Sequence, residues 1–242
     1  MQSESLALTP NDRRRISAMK SRATELGRSL WLLQDAGRYA DQSSLSGVNR
    51  HLERDFVHVV RDLSVRFPRK TINVLFEGCG ASSFPEELTK KCRTAGLKVR
   101  VFRTDLYSRK RFQQLVAFRR QTVRNYNQAA PEELAETFGE NKFHLVVSRS
   151  GGLNYTPLPP IKGIHALCKT LKPGGEAHII TEDVDQPSLP EGKAIWLNQH
   201  GKQTPVGAYF EGNPKYSVVE EKHVTGAPYL RFHPILRITK RQ

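Results

Sequence analysis

The stretch INVLFEGCGASSFPEELTKKC, Ile72 to Cys92, decides how this chain is read. It opens as an apolar run, turns through Gly78 and Gly80, and continues as a helix with Pro85 near its start and Gly96 past its end. Proline suits a first helical turn and glycine the position after the last. Strand, glycine turn and helix in that order form the unit from which alternating α/β folds are built. The turn is where such folds hold nucleotide-like ligands.

Working outward, the alternation continues. LKVRVFRTD reads as a second strand and SRKRFQQLVAFRRQ as a basic amphipathic helix with Phe112, Leu115, Val116 and Phe118 toward the sheet. TVRNY reads as a short strand, PEELAETFG as a short helix or turn, and FHLVVS as a strand. PPIKGIHALCKTL reads as a helix that stops at KPGG, and EAHIITE as a strand. The tail differs: KYSVVEEKHV and YLRFHPILRITK are strand-like runs with no helix between them, an antiparallel hairpin for the sheet edge. The long segment Asp183–Gly212 reads as a loop with one helical turn around AIWLN. Upstream, two helices are expected. One starts at a capping Asn11 and carries Ile16, Met19, Ala23, Leu26, Leu30 and Leu33 at helical steps. The other spans VNRHLERDFVHVVRDLSVRF, with Val48, Leu52, Phe56, Val59, Val60 and Leu63 on one side. The expected architecture is α/β: a doubly wound, mostly parallel sheet with a C-terminal antiparallel hairpin over residues 69–242, preceded by an N-terminal helical extension over residues 1–68.

Composition narrows the function. No apolar run approaches the ~20 residues a bilayer requires, so no membrane partner is expected. Cys79, Cys92 and Cys168 are the only cysteines, and they show no C-x-x-C or Cys/His metal spacing. Buried thiols in a cytoplasmic compartment, and no metal site, follow. The Arg-rich NDRRRISAMKSR has acids in and around it and is not read as a transit peptide. The chain holds 38 Lys+Arg against 24 Asp+Glu, a net charge of +14. That excess is local. Between Lys90 and Arg124 only Asp105 opposes 12 cations, whereas from Ala129 onward 13 basic residues meet 12 acidic ones. Clustered positive charge favours a polyanion, and RNA is the expected partner of the Lys90–Arg124 region.

Ligands of parallel sheets bind beyond the carboxyl ends of the strands. Those positions carry Glu77-Gly78-Cys79-Gly80-Ala81-Ser82 after the first strand and Asp105 after the second. Asn127 and Gln128 follow the third, Ser148-Arg149-Ser150 the fourth, and Glu182 the fifth. Each alone has a plain structural reading: a tight turn, a helix cap or a surface loop.

Taken together, in this order, these motifs resemble the class I S-adenosylmethionine-dependent methyltransferases over roughly Thr71–Gln242. FEGCGASS is similar to that family's acidic, glycine-rich first loop, FRTDLYS to the segment whose acid holds the ribose hydroxyls, FHLVVS to its fourth strand, and LKPGG to the end of the following helix. The resemblance implies S-adenosyl-L-methionine as cofactor, held by Glu77, Gly78, Cys79, Gly80, Ser82, Asp105, Gln128 and Ser148. The chain departs from the family where Phe76 stands for the usual acid, Ser82 for the third glycine and His144 for the Asp of the fourth strand. Ser82 is expected to narrow the cradle.

No catalytic residue stands out. Arg149, Asn154, Tyr155, His144 and His200 are candidates, and Lys169 and Lys172 read as an exposed helix face. Three activities remain open: a methyltransferase acting on RNA or a ribonucleoprotein, an RNA-binding or assembly protein that kept the fold without the chemistry, and a small-molecule methyltransferase with the N-terminal helices as a lid. A nicotinamide dehydrogenase is disfavoured, because Ser83 stands where the last glycine of G-x-G-x-x-G belongs.

Overall fold

A computed structural model describes residues 6–34, 44–80, 82–117, 123–149, 153, 158–180, 195–197, 203–205, 210, 213–225 and 231–242. Three helices lead in: α1 Pro10–Gln34, α2 Leu45–His51 and α3 Phe56–Arg66. Then β1 Ile72–Glu77, α4 Phe84–Thr94, β2 Val99–Asp105, α5 Arg109–Ala117 and β3 Tyr126–Gln128 alternate. A 3₁₀ turn at Pro131–Glu133 and α6 Leu134–Phe138 precede β4 Phe143–Arg149, α7 Pro160–Thr170 and β5 Leu171–Ile180. β6 Ile195–Leu197 and β7 Gln203–Pro205 form a separate small pair, and β8 Tyr216–Thr225 and β9 Arg231–Lys240 form the final hairpin.

The main sheet has the order β3-β2-β1-β4-β5-β9-β8. β1 to β5 run parallel, and β9 enters antiparallel between β5 and β8. Strand order reverses between β1 and β4, which places the ligand crevice above their carboxyl ends. The period of two sends alternate residues of β1 to opposite faces. Val74 and Phe76 join the core under α2, α3 and α4, and Leu75 joins the one under α6 and α7. Phe56, Leu63, Phe84 and Leu88 fill the first of these, so the lead-in helices α2 and α3 share a core with the sheet.

Local chemistry revises several expected boundaries. The single helix expected after Val48 breaks at residues 52–55. Glu53 adopts φ +48°, and the Asp55 carboxylate accepts the Val57 and His58 N–H groups to start α3. α1 is capped by Thr9 and not by Asn11. Thr9 Oγ1 accepts the Asp12 N–H (3.1 Å) while Asp12 Oδ2 accepts the Thr9 N–H (3.0 Å), a reciprocal capping box. The third strand begins at Tyr126, after Asn125 turns the chain at φ +57°, and not over TVRNY. AIWLN holds the extended β6 and not a helical turn. KPGG is not simply a helix stop, because Lys172–Gly175 bulge out of β5 between the pairs Phe143↔Leu171 and Leu145↔Glu176. A Cβ on Gly175 would stand 3.0 Å from the carbonyl oxygens of His144 and Lys172. Of the expected inward face of α5, Phe112 is fully buried and stacks on Tyr126 with ring centroids 3.9 Å apart. Phe118 and the side chains of Leu115 and Val116 lie outside the described residues.

Candidate active site

β1 carries the first loop into the crevice. Phe76 occupies the place of the family's usual acid and is a core residue, its ring 4.5 Å from that of Phe84. Glu77, one residue on, must face the other side of the sheet. It is 1% exposed and accepts a hydrogen bond from Ser148 Oγ at 2.6 Å, directly across the β1–β4 register. The displaced acid and Ser148 are thus hydrogen-bonded to each other at the carboxyl ends of β1 and β4.

The glycines after Glu77 make the turn possible. Gly78 (φ +60°) and Gly80 (φ +45°) hold left-handed conformations costly for other residues. Between them the Cys79 N–H donates to Thr104 O at 3.0 Å, tying the loop to β2. The Cys79 side chain is buried, and burial, then the charge of Asp105, push its thiol far above the ordinary range, so it is no nucleophile. Ser82 is buried, and its Oγ accepts the Phe84 N–H at 3.2 Å at the start of α4.

Asp105 closes the cradle. Gly80 N–H donates to its Oδ2 and Leu106 N–H to its Oδ1, both at 2.7 Å. Burial raises its pKa from 3.8 to about 6, against the lowering effect of those two amides. The carboxylate is partly exposed, and each oxygen retains a lone pair for a further donor. Gln128 stands beside it, in register with Asp105 across β2–β3, exposed, with Nε2 donating to Leu106 O at 2.8 Å. Glycine amides, Asp105 and Gln128 therefore meet at one edge, and a ribose diol with an attached base matches that set of groups.

Other candidates fall elsewhere. His144 lies at the amino end of β4, the opposite end of the sheet from Asp105. Ala81, Ser150, Asn154, Tyr155, Glu182, His200 and the side chain of Arg149 lie outside the described residues. Lys169 is on α7 and pairs with Glu140 at 3.8 Å, but Lys172 belongs to the β5 bulge and not to a helix face.

Two features escaped the sequence motifs. Arg103, within the basic tract, is 4% exposed and ion-paired with Glu86, so it is no part of a cationic surface. The second is where α1 docks. Ile16 is 1% exposed and clusters with Leu106, Ala130 and Leu158, which follow β2, β3 and β4. Three ion pairs fix the helix there: Lys162 with Asp12 (2.7 Å), Lys20 with Glu133 (2.5 Å) and Arg13 with Glu136 (2.7 Å). The Lys162–Asp12 pair has both side chains 11% exposed and matters most, since the half-exposed Arg13–Glu136 pair is solvent-screened. α1 thus lies along the crevice beside Asp105. Its apolar spacing is legible in sequence, but the face it meets is assembled from three separate loops.

Comparison with known proteins supports the architecture. The chain matches no family model and no curated protein sequence. Among solved structures it is similar to the methyltransferase domain (CMeT) of the citrinin polyketide synthase. There the TM-score is 0.52 at 15% identity, over 96% of this chain and 67% of that one. It is also similar to magnesium protoporphyrin IX methyltransferase from Synechocystis PCC 6803 with bound SAH. In that case the TM-score is 0.50 at 12% identity, over 93% of this chain and 99% of that one. The chain has the fold of the class I S-adenosylmethionine-dependent methyltransferases.

Proposed function

We propose that the protein is an S-adenosyl-L-methionine-dependent methyltransferase acting on RNA or a ribonucleoprotein. The observation that carries the cofactor is the Gly80–Asp105 contact at the point where strand order reverses. In this reading Asp105 accepts from the ribose hydroxyls, Gly78 and Gly80 let the backbone approach, and Gln128 meets the base. Glu77 and Ser148 act beneath the loop by fixing the ends of β1 and β4. The cofactor supplies an electrophilic methyl group on a sulfonium. The chain supplies placement, which can provide most of the rate for an acceptor that needs no strong base. The fold resemblance agrees with this reading.

RNA as acceptor is favoured by the surface around α4, β2 and α5. Lys90, Lys91, Arg93, Lys98, Arg100, Arg109, Lys110 and Arg124 are all exposed. Each single-strand phosphate neutralised contributes about −0.7 to the slope of log affinity against log salt, so four contacts give about −3.

Calorimetry with S-adenosylhomocysteine, followed by methyl transfer from labelled cofactor to RNA pools, tests both halves. Saturable cofactor binding with labelled RNA is expected. Failure to bind at millimolar cofactor refutes the enzyme. Cofactor binding with no salt-sensitive RNA affinity refutes the acceptor and leaves the small-molecule reading. A second reading, a binding or assembly protein on the same fold, is favoured by Phe76 and Glu77, since both are committed to the interior. RNA binding without cofactor binding would establish it.

A further inference from the structure

At the other end of the strands lies an open pocket of about 380 Å³. It forms where α3 ends, β1 and β4 begin, and the Lys172–Gly175 bulge folds back. At ~3.3 Å rise per residue, the length of β1 puts it roughly 20 Å from the Asp105 cradle. Its lining includes Lys70, Lys172, Asn73 and His144, with Phe67 and Pro173 as an apolar wall, and no carboxylate. Among the described residues, neither lysine has an acidic partner.

The floor is a positioned donor. His144 is 3% exposed, and its Nδ1 accepts the backbone N–H of Asn73 at 2.9 Å. Nδ1 therefore carries a lone pair, and the ring proton sits on Nε2. Among the described residues Nε2–H has no protein acceptor. Burial, then the charge of Lys172, hold the ring's pKa down at about 4, so it stays a neutral donor at ordinary pH. The ring is fixed edge-on by Phe67, with centroids 4.7 Å apart at 74°. The bulge that presents Lys172 is equally fixed. Gly174 takes φ +79° and its carbonyl accepts Arg66 Nη1 at 2.6 Å, while Gly175 has no room for a Cβ.

We infer that this pocket is a second ligand site, for a phosphate-bearing ligand of about mononucleotide size. Lys70, Lys172 and His144 Nε2–H face the phosphate, and Phe67 with Pro173 offers a flat apolar wall to an attached ring. The volume falls within the range of small-molecule sites, roughly 300–1,000 Å³, and exceeds what a bare phosphate fills. Cationic lining without an acid selects an anion, and a neutral imidazole adds a directed hydrogen bond. The site does not rest on the methyltransferase reading, because it shares no residue with the Asp105 cradle. A free nucleotide and the end of an RNA chain present the same chemistry.

The test follows the His144 imidazole by ¹H–¹⁵N spectroscopy of the full chain, saturated with S-adenosylhomocysteine so that nucleotides are kept from the other end. Inorganic phosphate, adenosine monophosphate and a short single-stranded RNA are titrated separately. A saturable shift of the His144 Nε2 resonance with phosphate is expected, with tighter binding of the species that also carries a base. Adenosine monophosphate tighter than RNA identifies a free nucleotide as the source, and the reverse order identifies an RNA end. Lys172→Glu and Lys70→Glu should each weaken binding about tenfold or more, with homocysteine-cofactor affinity unchanged. No saturable shift in the wild-type chain overturns the proposal, as does a phosphate affinity in both variants equal to that of the wild-type chain. The wild-type titration decides even if a variant does not fold, and it decides whether or not the cofactor binds.

Discussion

If Asp105 holds the cofactor ribose as proposed, its pKa makes cofactor affinity pH-dependent in a way that identifies the residue. In that proposal a ribose diol donates to the ionised carboxylate, a group that burial raises to about 6. If only the ionised form binds, affinity at pH 5 is about tenfold below that at pH 8, because about one molecule in eleven is ionised one unit below its pKa. Asp105→Asn removes the charge and with it the titration. Hydrogen bonds to a charged acceptor are worth about 1.5–3 kcal/mol, so the variant should bind roughly 10- to 150-fold more weakly above pH 7, with a flat profile from pH 5 to 8. Stability carries an independent signature. A carboxylate whose folded pKa is raised contributes stability that is fully present below its unfolded value, near 3.8, and is lost as pH rises through about 6. The difference is at most about 3 kcal/mol, and Asp105→Asn should not show that decline. Calorimetric titration with S-adenosylhomocysteine and urea denaturation, each from pH 4 to 8, measure both. Identical pH profiles for cofactor binding in wild type and variant would refute the placement of the ribose at Asp105.

Three further outcomes are expected. Ser82→Gly should cost a few tenths to about 1 kcal/mol in urea denaturation, because Ser82 Oγ serves the Phe84 N–H; cofactor affinity should stay within about twofold, and a tenfold gain would show that the serine crowds the cradle after all. Ser148→Ala removes a donor from the buried Glu77 carboxylate and should destabilise by about 1.5–3 kcal/mol; a loss below about 0.5 kcal/mol contradicts the pairing. Ile16→Ala should weaken α1 docking by about 2–5 kcal/mol, read as faster amide exchange over residues 10–23 with β1 and β4 unaffected.

The alternation from β1 to β5 and the terminal hairpin were legible because buried parallel strands are continuous apolar runs, and the glycine and proline punctuation falls where φ demands it. The break before α3 was not legible. Val48, Leu52, Phe56, Val59, Val60 and Leu63 keep one buried side through it, and only the Asp55 cap and the positive φ of Glu53 interrupt the hydrogen bonds. LKPGG reads from sequence as the end of a helix, since nothing local reveals that Gly175 packs against the His144 carbonyl. At the site, the order of Gly78, Gly80, Asp105 and Gln128 along the chain anticipated their meeting. The fate of Glu77 follows from the period of two once Phe76 is placed in the core. The partnership of α1 with Leu106, Ala130 and Leu158, and that of Arg103 with Glu86, are tertiary and leave no periodic trace.

The three cysteines have a practical corollary. Cys79, Cys92 and Cys168 are all buried, with thiols pushed above their ordinary value chiefly by burial, so alkylating reagents should find the native chain unreactive. Ser17→Cys would then add one accessible thiol on the exposed side of α1, at the position next to the buried Ile16. A fluorophore or spin label attached there needs no cysteine-free background. It would report whether α1 shifts against the crevice when S-adenosylhomocysteine is added.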